Sequence, residues 1–202
     1  MSKNNTNSDA YFEELNSNST KHWKKFLPLQ LPYKHNLRRQ SLGKVLEIGA
    51  GLGRNQAFLD DSVGVEHNPK SAQLCQSMGY RVLVPAIFHH EFKAFTGPAA
   101  IFDSILMSHV LEHIEYENQV KVLNEYVPYL KPNGKIFLIT PQEVGYKSTN
   151  SHITWTDFDR LEMILNLIDG EFKVTKSFSF PLPRRFGKLF KYNEFNVLAS
   201  RN

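Results

Sequence analysis

Three glycines at alternate positions, Gly49, Gly51 and Gly53, follow an acid, Glu47, set inside the apolar run Val45-Leu46-Glu47-Ile48. Glycine lets a backbone come close to a ligand, and a glycine turn between a buried strand and a helix start suits a nucleotide. The dinucleotide pattern G-x-G-x-x-G would need glycine at position 54, where Arg54 stands, which weighs against hydride-transfer chemistry. A second apolar run, Val63-Gly64-Val65, ends in Glu66, 17 positions after Gly49. This is near the roughly 20-residue offset at which an acid reaches a ribose, and a carboxylate accepts from two vicinal hydroxyls at once.

Proton transfer has its own candidates. His109, His113, Glu143 and His152 are side chains suited to take a proton from an acceptor hydroxyl. The string His109-Val110-Leu111-Glu112-His113 also spells H-x-x-E-H, the zinc signature of inverted zinc peptidases. That site needs both histidines on one helical face, whereas His109 ends the apolar run from Ile101 and belongs to a strand end. No metal is therefore expected.

The surrounding pattern supplies the elements. Short apolar runs at 45–48, 63–65, 82–84, 102–107 and 135–140 read as strands, with helices between them, one spanning Ser71 to Met78 behind Pro69 in its first turn. Another helical pattern runs from Trp155 to Ile168. The alternation predicts βαβ units, a parallel sheet and right-handed crossovers, with ligands at the carboxyl ends of the strands, near the switch point between the first and the fourth. Upstream, a polar tail over residues 1–10 precedes a helical lead-in from Tyr11 to Lys25, a Pro28 to Pro32 break and a short helix near His35 to Gln40.

Glu47 followed by G-x-G-x-G resembles the first motif of the class I S-adenosylmethionine-dependent methyltransferases, of the small-molecule, Rossmann-like type. Further stretches agree in order: the acid Glu66; Phe102-Asp103-Ser104-Ile105-Leu106 with Leu111-Glu112-His113 after it; a Pro132-Asn133-Gly134 turn where the family usually has Pro-Gly-Gly; and strand starts at Phe172 and Phe195. The resemblance spans roughly residues 43–200. It implies an α/β fold, a doubly wound, seven-stranded, mostly parallel sheet with the last strand antiparallel, and S-adenosyl-L-methionine as cofactor. It implies cofactor contacts at Glu47, Gly49, Ala50, Gly51, Gly53, Asn55, Glu66, His67, Ser108 and His109. Residues 1–42 would form a tail and lead-in covering the cofactor site, and residues 43–202 the methyltransferase domain. Many members carry an acid soon after the third strand for the adenine amino group. Here Arg81 to Phe88 offers none before Glu91, and backbone amides near Leu83 to Ala86 would take its place.

Methyl transfer from a sulfonium is an in-line displacement in which positioning dominates. The segments Pro141 to His152 and Phe180 to Glu194 leave the same sheet edge and are expected to line the acceptor, which makes His152 and Glu143 the expected catalytic residues. The Pro-Arg-aromatic loop suits a small-molecule acceptor with a negative group, such as an anionic metabolite or a glycan or lipid-linked precursor. The rival from another class is a catalytically silent binding protein on the same fold.

Composition agrees. The chain has 202 residues, 41% hydrophobic and 22% charged, as expected of one domain. It has no apolar run of bilayer length, and its first residues lack the apolar core of a signal peptide, so a soluble, cytoplasmic protein is expected. Cys75 is single and reads as a small buried hydrophobe. The net charge of +4 divides into +5 over residues 1–44, −6 over 45–170 and +5 over 171–202. An acidic core with basic ends fits an anionic acceptor or surface, and without a continuous basic run a nucleic-acid partner is not expected.

Overall fold

The computed structural model describes residues 13, 30–94 and 97–202. The expected tail and the Tyr11 to Lys25 lead-in lie outside the described residues, Glu13 apart.

Helix α1 (Leu31–Arg39) begins a turn before the expected His35, because Pro32 sits in its first turn, where a missing N–H leaves no bond unmade. Strands β1 (Val45–Ile48) and β2 (Ser62–Val65) follow, then α2 (Pro69–Ser77). Asn68 caps α2 by accepting from the amides of Lys70 and Ser71, each at 3.1 Å. Strand β3 is only Val82–Leu83, since Pro85 opens α3 (Pro85–Glu91) directly behind it. A small antiparallel pair, β4 (Lys93–Ala94) and β5 (Gly97–Pro98), leads to β6 (Phe102–Ser108) and α4 (Tyr116–Asn124). Then come β7 (Leu130–Pro141), the short α5 (Glu143–Tyr146), α6 (Phe158–Leu167), β8 (Phe172–Phe180) and β9 (Glu194–Arg201).

Seven of these strands form one sheet in the order β3-β2-β1-β6-β7-β9-β8. Pairs within β3-β2-β1-β6-β7 are parallel, while β9, the last strand, is antiparallel to both β7 and β8. The chain winds outward through β2 and β3, then crosses back to β6 on the other side of β1, which creates the expected switch point.

One strand departs from the expected pattern. The Pro132-Asn133-Gly134 turn lies within β7 as a bulge: pairing jumps from Phe102↔Leu130 to Ser104↔Lys135, and Asn133 takes φ +63°. Strand β8 starts at Phe172 as expected and runs to Phe180; it is the sheet edge, half-exposed and carrying Lys173 and Lys176.

Alternate residues of the central strands serve two cores. Ile105, Met107, Ile136 and Leu138 pack with Phe88, Leu123, Leu161 and Ile164 on one face. Leu106, Phe137 and Ile139 face Leu37 and Leu42 on the other, so α1 is built into the sheet's second face. Among the described residues no helix is long and apolar enough to cross a membrane.

Candidate active site

Strand β1 breaks into the glycine loop because three residues there take positive φ: Gly49 (+74°), Gly51 (+56°) and Gly53 (+75°). A Cβ at Gly49 would strike the Val110 side chain, and one at Gly53 would lie 2.9 Å from the Tyr80 ring, so both are constrained by packing. Gly51 differs: a Cβ there would meet no protein atom within 4 Å, so its backbone borders open space.

Two acids hold this loop. Glu47, 1% exposed, accepts from Asn55 Nδ2 at 2.8 Å and from Gln56 Nε2 at 2.5 Å, and burial pushes its carboxyl up to about 7 despite those bonds. Glu66 Oε2 accepts the Gly51 amide and Oε1 the Asn68 amide, both at 2.8 Å. His67 Nδ1 lies 3.1 Å from the same Oε1. Burial alone would raise the Glu66 carboxyl, but these donors hold it below the usual carboxylate range. Ala50 donates its amide to Val65 O at 3.1 Å, tying the loop to β2. Glu47, the loop, Asn55, Glu66 and His67 are thus brought together.

The expected Ser108 and His109 stand across the switch point, at the end of β6. His109 takes φ +57°, which turns its ring between two acids: Nε2 lies 2.7 Å from Glu194 Oε1, and Nδ1 3.3 Å from Glu112 Oε1. Burial opposes a charge on the imidazole, yet the two carboxylates raise it to about 9.

Glu143 and His152 lie at the two ends of the segment after β7, joined through α5. Glu143 forms a two-pronged pair with Arg184, at 2.7 and 2.8 Å, which outweighs partial burial and holds the carboxyl low. His152 bonds through Nδ1 to Tyr146 O at 2.7 Å, its ring stacked on Tyr146, and burial lowers its pKa. Gln142 fastens the second loop by accepting from Asn193 Nδ2 at 2.8 Å and donating to Glu194 O at 3.0 Å.

A narrow recess beside the glycine loop is lined by Tyr33, Asn36, Arg54, Asn55, Ser108 and Glu194 among others. Helix α1 is pinned over it: Tyr33 Oη donates to Tyr192 O at 2.6 Å, and Asn36 Nδ2 to Asn196 Oδ1 at 2.8 Å. Tyr33, Arg54, Glu112 and Glu194 were not among the expected site residues. Glu112 sat inside the H-x-x-E-H string, whereas Glu194 is 85 positions from His109 and becomes its neighbour only through the insertion of β9 beside β7.

The model of a methyltransferase-domain family matches residues 15–200. The fold is similar to that in the complex between the Haloferax volcanii Trm112 methyltransferase activator and a putative methyltransferase (TM-score 0.62, 15% identity, 96% of this chain and 95% of that chain). It is similar also to a Burkholderia thailandensis 1,6-didemethyltoxoflavin-N1-methyltransferase, seen with 1,6-didemethyltoxoflavin and S-adenosylhomocysteine (TM-score 0.59, 18% identity, 100% of this chain and 92% of that chain). A third likeness is to a SAM-dependent methyltransferase from Archaeoglobus fulgidus (TM-score 0.58, 17% identity, 84% and 93% covered).

Proposed function

Because the chain belongs to the methyltransferase-domain family and is an S-adenosylmethionine-dependent methyltransferase, we propose that its acceptor is a small molecule: a metabolite, or a glycan or lipid-linked precursor, bearing a negative group. The observation that carries this reading is the narrow cleft whose wall joins the glycine loop, through Arg54 and Asn55, to Ser108 and Glu194. Such a confined recess favours a small acceptor over a broad macromolecular face. The Burkholderia neighbour, named for a small heterocyclic substrate, supports the same class by likeness of fold.

The residues fit the cofactor. The open space beside Gly51 accepts a ligand against backbone, and Glu66 presents a carboxylate at the strand end where ribose hydroxyls would be held. When bound, S-adenosylmethionine supplies a methyl carbon on a positively charged sulfur. Glu47 acts at one remove, holding Asn55 and Gln56, while Ala50, Gly49 and Gly53 shape the turn and His67 steadies Glu66. Ser108 and His109 border the cofactor from β6, and α1, as the described end of the lead-in, covers the cleft.

On the acceptor side the chain's task is to orient a lone pair and to receive a proton. Glu143 and His152 are the proposed groups, and Glu143 must first part from Arg184. Arg185 and Lys188 in the second loop supply positive charge for the acceptor's anion.

Calorimetry with S-adenosylhomocysteine, followed by a labelled-methyl screen against anionic metabolites, glycans and short oligonucleotides, tests the reading. Transfer to a small anionic acceptor is expected, and preferred transfer to the oligonucleotides would overturn it.

A further inference from the structure

Glu112 is a carboxylate whose surroundings do not satisfy it. Its side chain is 1% exposed, and neither oxygen takes part in a hydrogen bond. The nearby His109 Nδ1, at 3.3 Å, makes an ion-pair contact off hydrogen-bond alignment, and its other nitrogen is committed to Glu194 at 2.7 Å. Burying a carboxylate without hydrogen bonds is costly, so a further cationic partner would relieve it.

Two more imidazoles converge there. His113 ends the same tight turn as Glu112, and His152 arrives from the loop after α5, its ring centroid 4.8 Å from that of His113. One ligand atom from each of Glu112, His113 and His152 lies within 4.8 Å of the other two. Tetrahedral coordination at about 2.0–2.2 Å needs ligand atoms about 3.3–3.5 Å apart, a contraction that side-chain rotation supplies.

The second observation lies behind the rings. His113 Nδ1 meets Ser151 O at 2.9 Å, and His152 Nδ1 meets Tyr146 O at 2.7 Å. A carbonyl oxygen can only accept, so both rings carry hydrogen on Nδ1, which makes Nε2 the nitrogen that each can offer to an ion. A backbone carbonyl fixing the outer nitrogen is the support that metal-binding histidines ordinarily have. His152 Nε2 points toward Glu112 Oε1, 3.9 Å away.

We propose that Glu112, His113 and His152 bind one divalent first-row transition-metal ion, with coordination positions left for an oxygen of the acceptor. Two nitrogens and one carboxylate suit Zn2+, Mn2+ or Co2+. The H-x-x-E-H string thus contributes Glu112 and His113 but not His109, which turns away to Glu194 as β6 ends. The ion site stands on its own geometry; with the ion bound, His152 Nε2 is a ligand and the acceptor's proton is left to Glu143, and only the acceptor's place on the ion rests on the methyl-transfer reading.

The test is calorimetric titration of EDTA-stripped full-length protein with ZnCl2, MnCl2 or CoCl2 alone, with Co2+ absorption reporting nitrogen and oxygen ligands. One ion per chain is expected for at least one metal. Glu112→Gln, His113→Ala and His152→Ala should each weaken it by more than the ~10–100-fold that loss of an outer partner costs. In the His113 and His152 variants S-adenosylhomocysteine affinity should stay within about twofold, which also reports that they are folded; Glu112→Gln, whose carboxylate meets His109, is checked for folding by circular dichroism instead. Where His152→Ala does not fold, His152→Gln replaces it. Failure of all three metals to bind a chain that does bind S-adenosylhomocysteine would overturn the proposal, as would metal binding of equal strength in the His113 and His152 variants. One ion bound at this site supports it even where no acceptor is methylated; in that case the acceptor reading falls.

Discussion

The Glu66 carboxylate accepts the Gly51 amide at 2.8 Å, so the end of β2 grips the glycine loop that leaves β1. The grip follows from register. Ile48 pairs with Val65, and one residue further each strand turns toward the other above the sheet edge. The same oxygen that would meet a ribose therefore also sets the shape of the turn beneath it.

Gly51→Val tests the turn's open side. Valine at φ +56° brings backbone strain on the order of 1–3 kcal/mol and puts a branched side chain where no protein atom lies within 4 Å. We expect S-adenosylhomocysteine binding to disappear in calorimetry while the far-ultraviolet circular dichroism of the sheet is retained. Wild-type affinity in this variant would move the pocket elsewhere.

Glu66→Ala removes the charge-assisted bonds to the Gly51 and Asn68 amides and, with them, the bonds proposed to the cofactor ribose. The expected loss is about 1.5–3 kcal/mol, or roughly ten- to a hundred-fold in S-adenosylhomocysteine affinity. The same titration checks it, and a change smaller than twofold would remove Glu66 from the site.

The glycine loop and Glu66 were legible in the sequence because each depends on local pattern: an apolar strand, a turn and an acid at a set offset. The parallel sheet followed from the alternation of strands and helices and the antiparallel last strand from the family resemblance, and the structure bears both out. The brevity of β3 was readable in principle from Pro85, since proline opens a helix more readily than it continues a strand. His109 and Glu194 were a different matter. Their contact depends on β9 entering between β7 and β8 and on a histidine at φ +57°, neither of which leaves a local mark. The Pro-Arg-aromatic loop as a whole read as suited to an anionic acceptor, whereas the guanidinium of Arg184 within it is taken up by Glu143.

Glu47 predicts a pH dependence of stability. Its carboxyl, ordinarily near 4.5, is raised to about 7 by burial. Between those values the folded chain keeps a proton that the unfolded chain has lost, so this group's contribution falls as pH rises through the window and stays low above it. Glu47→Gln cannot ionise. In urea melts, the stability of the wild type relative to this variant should decline from pH 5 to pH 8, and a rising difference would contradict a neutral buried carboxyl.

Gly187→Ala tests the acceptor wall separately from the cofactor cradle. A Cβ at Gly187 would collide with the Gln142 side-chain oxygen and lie 2.7 Å from Glu143 Oε2, the two groups that fasten the second loop to the segment after β7. The loop must shift, loosening the Gln142–Asn193 bond and the Glu143–Arg184 pair together. The glycine loop and Glu66 lie on the other side of β1 and share no bond with Gly187, so S-adenosylhomocysteine affinity should hold within about twofold. Once an acceptor is in hand, its KM should rise roughly tenfold or more, on the scale that a 1 Å misplacement of positioning groups produces. Equal losses of cofactor and acceptor binding would mean that the two halves of the cleft form one cooperative unit, and the division of roles between them would have to be abandoned.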